Sequence, residues 1–199
     1  MKRQTKISIV IALGITLNVV GAFIAMTFSI PFYMDSIGTI LVAGLLGPKY
    51  AMFAGVLGSI TSGFTFDIYS FYYAPVQLLT GFFAGIMYDT KWLKGKFMPL
   101  GSILVGIPTS IASAFITALL FGGITSGSSS AIVVILHNLG LNLVVSIFLV
   151  QVFTDYLDKL FAVYLTRLII ERGKLKEKWG ISWKDTVKLP IRSKEKSYF

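Results

Sequence analysis

Few residues in this chain can do chemistry, and those few favour binding over catalysis. His137 is the one histidine, cysteine is absent, and no two carboxylates stand as a pair at one depth of the apolar segments. Hydrolysis, phosphoryl transfer and metal chemistry each need a base, a nucleophile or a ligand set that such a composition does not supply. The chain is therefore read as a non-enzyme with no metal site and no intrinsic cofactor. No Walker A glycine loop is present, so nucleotide hydrolysis by that route would belong to a partner.

Three polar or small-residue constellations remain. The first is His137, Asn138 and Asn142 within the last apolar segment. Positions 138 and 142 would share one helical face, with His137 beside them. They read either as a hydrogen-bond clamp between helices, with Asn18 as a partner, or as the polar wall of a ligand cavity. The second is the stretch 64–73, with six aromatic residues in ten around Asp67, faced by Tyr33 and Asp35 of an earlier loop. Scattered rings form an interfacial belt, but rings at this density also suit closure over a flat or conjugated ligand. Asp67, Tyr69, Tyr72, Tyr73 and Gln77 are the expected lining residues. The third is the fourfold spacing of Ser8, Ala12 and Thr16, a smooth stripe for packing inside the chain or for docking a separate membrane subunit.

Six apolar segments must position these residues, at about 7–28, 36–46, 50–62, 74–88, 98–121 and 131–153, the last continuing as an amphipathic stretch to about 171. With 55% hydrophobic residues, 14% charged residues and a mean hydropathy of +0.77, the chain has more apolar surface than a soluble core uses. All 18 Lys and Arg fall in the N-terminus, alternate loops or the tail, together with seven of the nine acids. Only Asp35 and Asp67 fall on the other side, so the charge divides as +11 against −2. Cytoplasmic loops hold Lys and Arg. The expected fold is thus an all-α integral membrane protein, a compact bundle of six transmembrane helices with both termini cytoplasmic. Residues 1–170 form the membrane domain and 171–199 a basic tail. Insertion and anionic lipid account for the net +9, which leaves nucleic acid as a poor match.

Local features refine this picture. The basic start followed by an apolar run imitates a signal peptide, but five more apolar segments follow, and it is read as a retained first helix. The second segment is about 16 Å long as a helix and cannot cross unless it begins within the outer loop. Ala51, Ala54, Gly55, Gly58 and Ser59 suit the third segment to close helix contact. Pro108 is an expected kink. No internal repeat is evident. The segments show no carboxylate away from their ends, which counts against an ion-coupled exporter. A membrane sensor subunit remains as another alternative.

Six helices in about 200 residues, the stripe on the first and the aromatic outer loops resemble the substrate-binding S component of an energy-coupling factor transporter. The resemblance covers about 7–158. Its best local match runs from Tyr33-Met34-Asp35-Ser36-Ile37-Gly38-Thr39-Ile40 to Leu45-Leu46-Gly47-Pro48, similar to a subgroup that includes cobalamin-specific components. The family's first helix typically carries Ala-x-x-x-Ala, where this chain has Ala12-x-x-x-Thr16. The resemblance implies a multi-pass protein of a bacterial cell membrane that captures a vitamin outside, cobalamin first and a nucleoside or small aromatic vitamin second. It further implies docking on a membrane coupling subunit with two ATPase subunits that use ATP and Mg, and toppling of the S component to carry its site inward.

Overall fold

The computed structural model describes residues 3–179. Most of the expected basic tail, from 180 onward, lies outside the described residues. The described residues form helices and no strand: α1 (Arg3–Thr27), α2 (Ile37–Leu46), α3 (Pro48–Thr65), α4 (Ile68–Tyr72), α5 (Ala74–Met87), α6 (Met98–Phe121), α7 (Ser129–Asn138), α8 (Leu143–Arg172) and α9 (Leu175–Trp179). Two helical stretches, Arg3–Thr27 and Gly95–Phe121, are long and apolar enough to cross a membrane.

The short second segment sits at the centre. Every residue of α2 is buried, as a helix that is apolar on all sides requires, and α1, α3, α5 and α8 pack around it. Glycine lets α1 lie directly on α2: a Cβ at Gly38 would stand 1.8 Å from the Gly14 carbonyl oxygen. The small residues of α3 face inward as expected, with Ala51, Ala54, Gly55, Gly58 and Ser59 all buried. Pro108 lies inside α6, which continues through it.

The interior holds many polar side chains beside its apolar core, and the exterior carries many large apolar ones. Asn18, Gln77, Thr39, Asp158 and Lys159 are buried, whereas Phe64, Leu139 and Phe28 are 78%, 77% and 73% exposed. Soluble proteins distribute these residue types the other way round, while a hydrocarbon surround favours satisfied polar groups inside and apolar side chains outside.

The sixth segment departs from expectation. It is not one helix but two, broken between Asn138 and Asn142. Gly140 takes φ +97 just past the end of α7, a left-handed ending that stops helices. Asn142 then caps α8, its Oδ1 accepting from Val144 N–H at 2.9 Å, the usual role of Asn before a first turn. A second departure concerns charge: Asp155, Asp158 and Lys159 are not on the inner surface but are buried along α8.

One end of the bundle gathers basic residues around a closed staple. Arg167 on α8 donates from Nε to the Leu93 carbonyl at 2.9 Å and from Nη2 to the Tyr88 carbonyl, with its guanidinium 4.2 Å above the Tyr88 ring. Lys176 reaches Asp89 at 2.8 Å. The opposite end holds the loop between α1 and α2, α4, and the loop before α7. There Ser128 Oγ donates to the Ile30 carbonyl at 2.7 Å, and Tyr33 OH pairs with Ser129 Oγ at 2.9 Å.

Candidate functional site

A chain of buried hydrogen bonds links the four helices that meet at the second end. Asn18 on α1 supplies what the first turn of α2 lacks, because the leading N–H groups of a helix have no partner within it. Its Oδ1 accepts from Gly38 N–H at 2.7 Å and Thr39 N–H at 3.1 Å, while its Nδ2 donates to Thr39 Oγ1 at 2.7 Å. Thr39 Oγ1 donates onward to Gln77 Oε1 at 2.9 Å, and Gln77 Nε2 reaches the Asp35 carbonyl at 3.2 Å. Gln77 is thus oriented from both sides.

α8 closes this chain with charge. Asp158 accepts from Met34 N–H at 2.8 Å, Ser36 Oγ at 2.6 Å and Lys159 Nζ at 2.9 Å. Lys159 Nζ also donates to Ser36 Oγ at 2.9 Å and stands 4.0 Å from Asp155. Asp155 accepts from Ser113 Oγ of α6 at 2.9 Å. Buried ions are retained when paired and hydrogen-bonded, and here one lysine serves two aspartates of its own helix. Burial, with Asp158 next in effect, pushes the Asp35 carboxyl in the loop up to about 6.

The aromatic stretch is folded rather than loose. Asp67 begins α4 by accepting from Tyr69 N–H at 3.3 Å and Ser70 Oγ at 2.7 Å. Phe121 of α6 meets Tyr69 and Tyr72 edge-on at 4.9 and 5.4 Å between ring centroids. Tyr73 OH pairs with Thr117 Oγ1 at 2.5 Å, and Gln151 Nε2 donates to the same oxygen at 2.8 Å.

These elements surround a small cavity of ≈ 40 Å³ within a hollow whose empty space, open solvent included, is ≈ 460 Å³. Tyr33, Asp35, Asp67, Tyr69, Tyr73 and Gln77, all singled out in the sequence, line it together. Ser126 is at its wall, and also at that of an adjoining hollow that shares Tyr33, Asp35, Asp67 and Ser70. Tyr72 does not line either hollow; it turns outward and is 46% exposed.

The polar set of the sixth segment is elsewhere. His137, Asn138 and Asn142 are all exposed at the break between α7 and α8, where His137 Nδ1 lies 3.0 Å from the Leu141 carbonyl. The shared face expected of Asn138 and Asn142 does not exist, because the helix ends between them, and Asn18 pairs with α2 instead. Asp155, Lys159 and Ser113, which the sequence reading passed over, line the cavity in their place. Asp155 and Asp158 also correct the expectation that no carboxylates pair and that none lies away from a segment's end. Their signal was present in the sequence: Gln151, Asp155, Asp158 and Ala162 recur at helical spacing on one buried face.

Ser8, Ala12 and Thr16 are exposed. α1 buries the other side of its cylinder, Val10, Gly14, Asn18, Gly21 and Ala25. The stripe therefore does not pack within the chain.

The fold and site define a helical protein with an apolar exterior and a polar, charged cavity at one end. Set against protein-family models, curated proteins and solved structures, the chain matches none of them.

Proposed function

We propose that the chain is a six-span protein of a bacterial cell membrane, with both termini cytoplasmic, that serves as the substrate-capturing S component of an energy-coupling factor importer. The observation that carries this reading is the cavity at the end opposite the basic loops, walled by tyrosines and by buried polar groups held in fixed orientations. Small-molecule sites are concave and lined by aromatic side chains with a few placed polar groups, as this cavity is. So small a cavity, ≈ 40 Å³, favours a nucleoside-sized or small aromatic vitamin over cobalamin, whose corrin ring and nucleotide loop would not be enclosed. The exposed stripe Ser8, Ala12 and Thr16 is the face offered to a membrane coupling subunit. ATP and Mg are used by two partner ATPases, and this chain is not itself an enzyme.

A second reading is favoured by one observation. Asp155, Asp158 and Lys159 are buried within a long helix, the kind of intramembrane ionisable group that ion-coupled transporters use. Uptake of labelled vitamins into cells separates the two. The first reading predicts uptake only when this chain, the coupling subunit and both ATPases are expressed together, with loss when the ATPases are inactivated. Uptake by this chain alone, abolished by a protonophore, would replace it with the second. Ligand binding without uptake under either condition would point to a sensor.

A further inference from the structure

The wall of the cavity carries more negative than positive charge. Asp35, Asp67 and Asp155 line it with a single ammonium, Lys159. That ammonium is already engaged by Asp158 and Ser36, both at 2.9 Å, and reaches Asp155 only at 4.0 Å. Asp67 is committed to the start of α4. Asp35 lies 3.2 Å from Ser36 Oγ, whose one hydrogen goes to Asp158 at 2.6 Å, and Asp155 accepts from Ser113 Oγ at 2.9 Å. When both are ionised, these two carboxylates carry more charge than Lys159, paired with Asp158, can balance.

Carboxylates withdrawn from water are costly until they take up a proton or a positive group joins them, and a bound cation favours their ionised forms. Tyr33, Tyr69 and Tyr73 stand around the same space, and the faces of such rings attract cations, more strongly where water is excluded. Among the described residues no group of three or more His, Cys, Asp or Glu is arranged to hold a metal ion. The aspartates thus do not converge on one point, as a compact divalent ion needs. A charge spread over a flat ring fits them better.

We infer that the cavity selects a small organic cation, with its ring against the tyrosines and its positive centre between Asp35 and Asp155. This rests on the reading of the cavity as a capture site, and it names the class of ligand captured. A neutral compound of the same shape leaves the two carboxylates unbalanced, and an anion adds to their repulsion.

The test uses three pyridines of nearly one size and different charge: cationic 1-methylnicotinamide, neutral nicotinamide and anionic nicotinate. Each is titrated calorimetrically into the purified full chain in lipid nanodiscs. The expected order is cation first by roughly tenfold or more in Kd over the neutral compound, a difference of about 1.4 kcal/mol, with the anion weakest. Asp155→Asn keeps the shape and the bond from Ser113 while removing the charge, and should erase most of that preference. Asp35→Asn, in the loop, repeats the test should Asp155→Asn not fold. Equal binding of the cation and the neutral compound, preference for nicotinate, or binding of none of the three would overturn the inference. ATP-driven uptake of an anionic vitamin would also overturn it and leave the importer reading intact. Cation binding by a chain that never docks on a coupling module would do the reverse.

Discussion

The two ends of the bundle each bury a basic residue of α8, and they use it differently. At the basic staple Arg167 is held by the chain itself: two carbonyls accept from it, the Tyr88 ring covers it, and it lines neither of the two hollows. At the other end Lys159 also has close partners, yet it stands among several carboxylates and lines the cavity. A buried charge with every partner supplied by the chain holds helices together. A buried charge beside a cavity and an excess of opposite sign leaves work for a ligand.

The contrast can be broken by removing each cation in turn. Lys159→Met leaves Asp158 and Asp155 buried without their partner, and breaking such a pair costs about 3–5 kcal/mol. Thermal unfolding in detergent should show that loss, and the protein that remains folded should bind a cation more tightly, because the cavity wall has lost its one ammonium. Arg167→Ala orphans two backbone acceptors at a charged donor, a loss of about 2–3 kcal/mol, but the surviving folded protein should bind ligand with unchanged Kd. The same effect on Kd in both variants would erase the distinction between a site and a staple.

Smaller changes sharpen it. Tyr73→Phe removes the hydroxyl paired with Thr117 and should cost about 1 kcal/mol of stability with a measurable weakening of ligand binding. Tyr72→Phe, outside the cavity, should leave both unaltered. Thr16→Leu should change stability by less than about 0.5 kcal/mol, since exposed substitutions rarely do more. It should leave binding intact while uptake with the coupling module falls; loss of binding too would mean the stripe serves the fold. The last effect is one of pH. Asp35, pushed up to about 6 by burial and by Asp158, gains a proton as pH falls from 7 to 5, so affinity for a cation should decline over that interval. Asp155, Lys159 and Tyr33 face it across the cavity, and the decline should be absent in Asp35→Asn.

How far the sequence revealed this depended on what each residue had to do. The apolar segments and the small residues of the third were legible because burial and close contact leave composition signals that need no partner to read. Asp35, Asp67 and the tyrosines were legible as a cluster because they are close in sequence or on facing loops. His137, Asn138 and Asn142 misled because a polar residue inside an apolar run has two physical meanings, a buried hydrogen-bonding group or a helix end. Gly140 between them, free to take positive φ, was the sign of the second. Asn18 has the first meaning, but its partners on α2 are made by tertiary contact and left no local mark. Asp155, Asp158 and Lys159 were missed because opposite charges at neighbouring positions resemble a solvated surface. Their burial is decided by α2, α6 and the Asp35 loop, which the sequence of α8 does not contain.

The chain's lack of cysteine allows the most direct test of a two-ended protein. Single cysteines at exposed Ser126, on the cavity wall, and at exposed Lys96, by the basic end, can be probed in intact cells with a membrane-impermeant thiol reagent. Ser126→Cys should react from outside and be protected by a bound ligand, while Lys96→Cys should react only once the membrane is opened. Labelling of Lys96→Cys in sealed cells, with Ser126→Cys silent until they are opened, would contradict an outward-facing capture site.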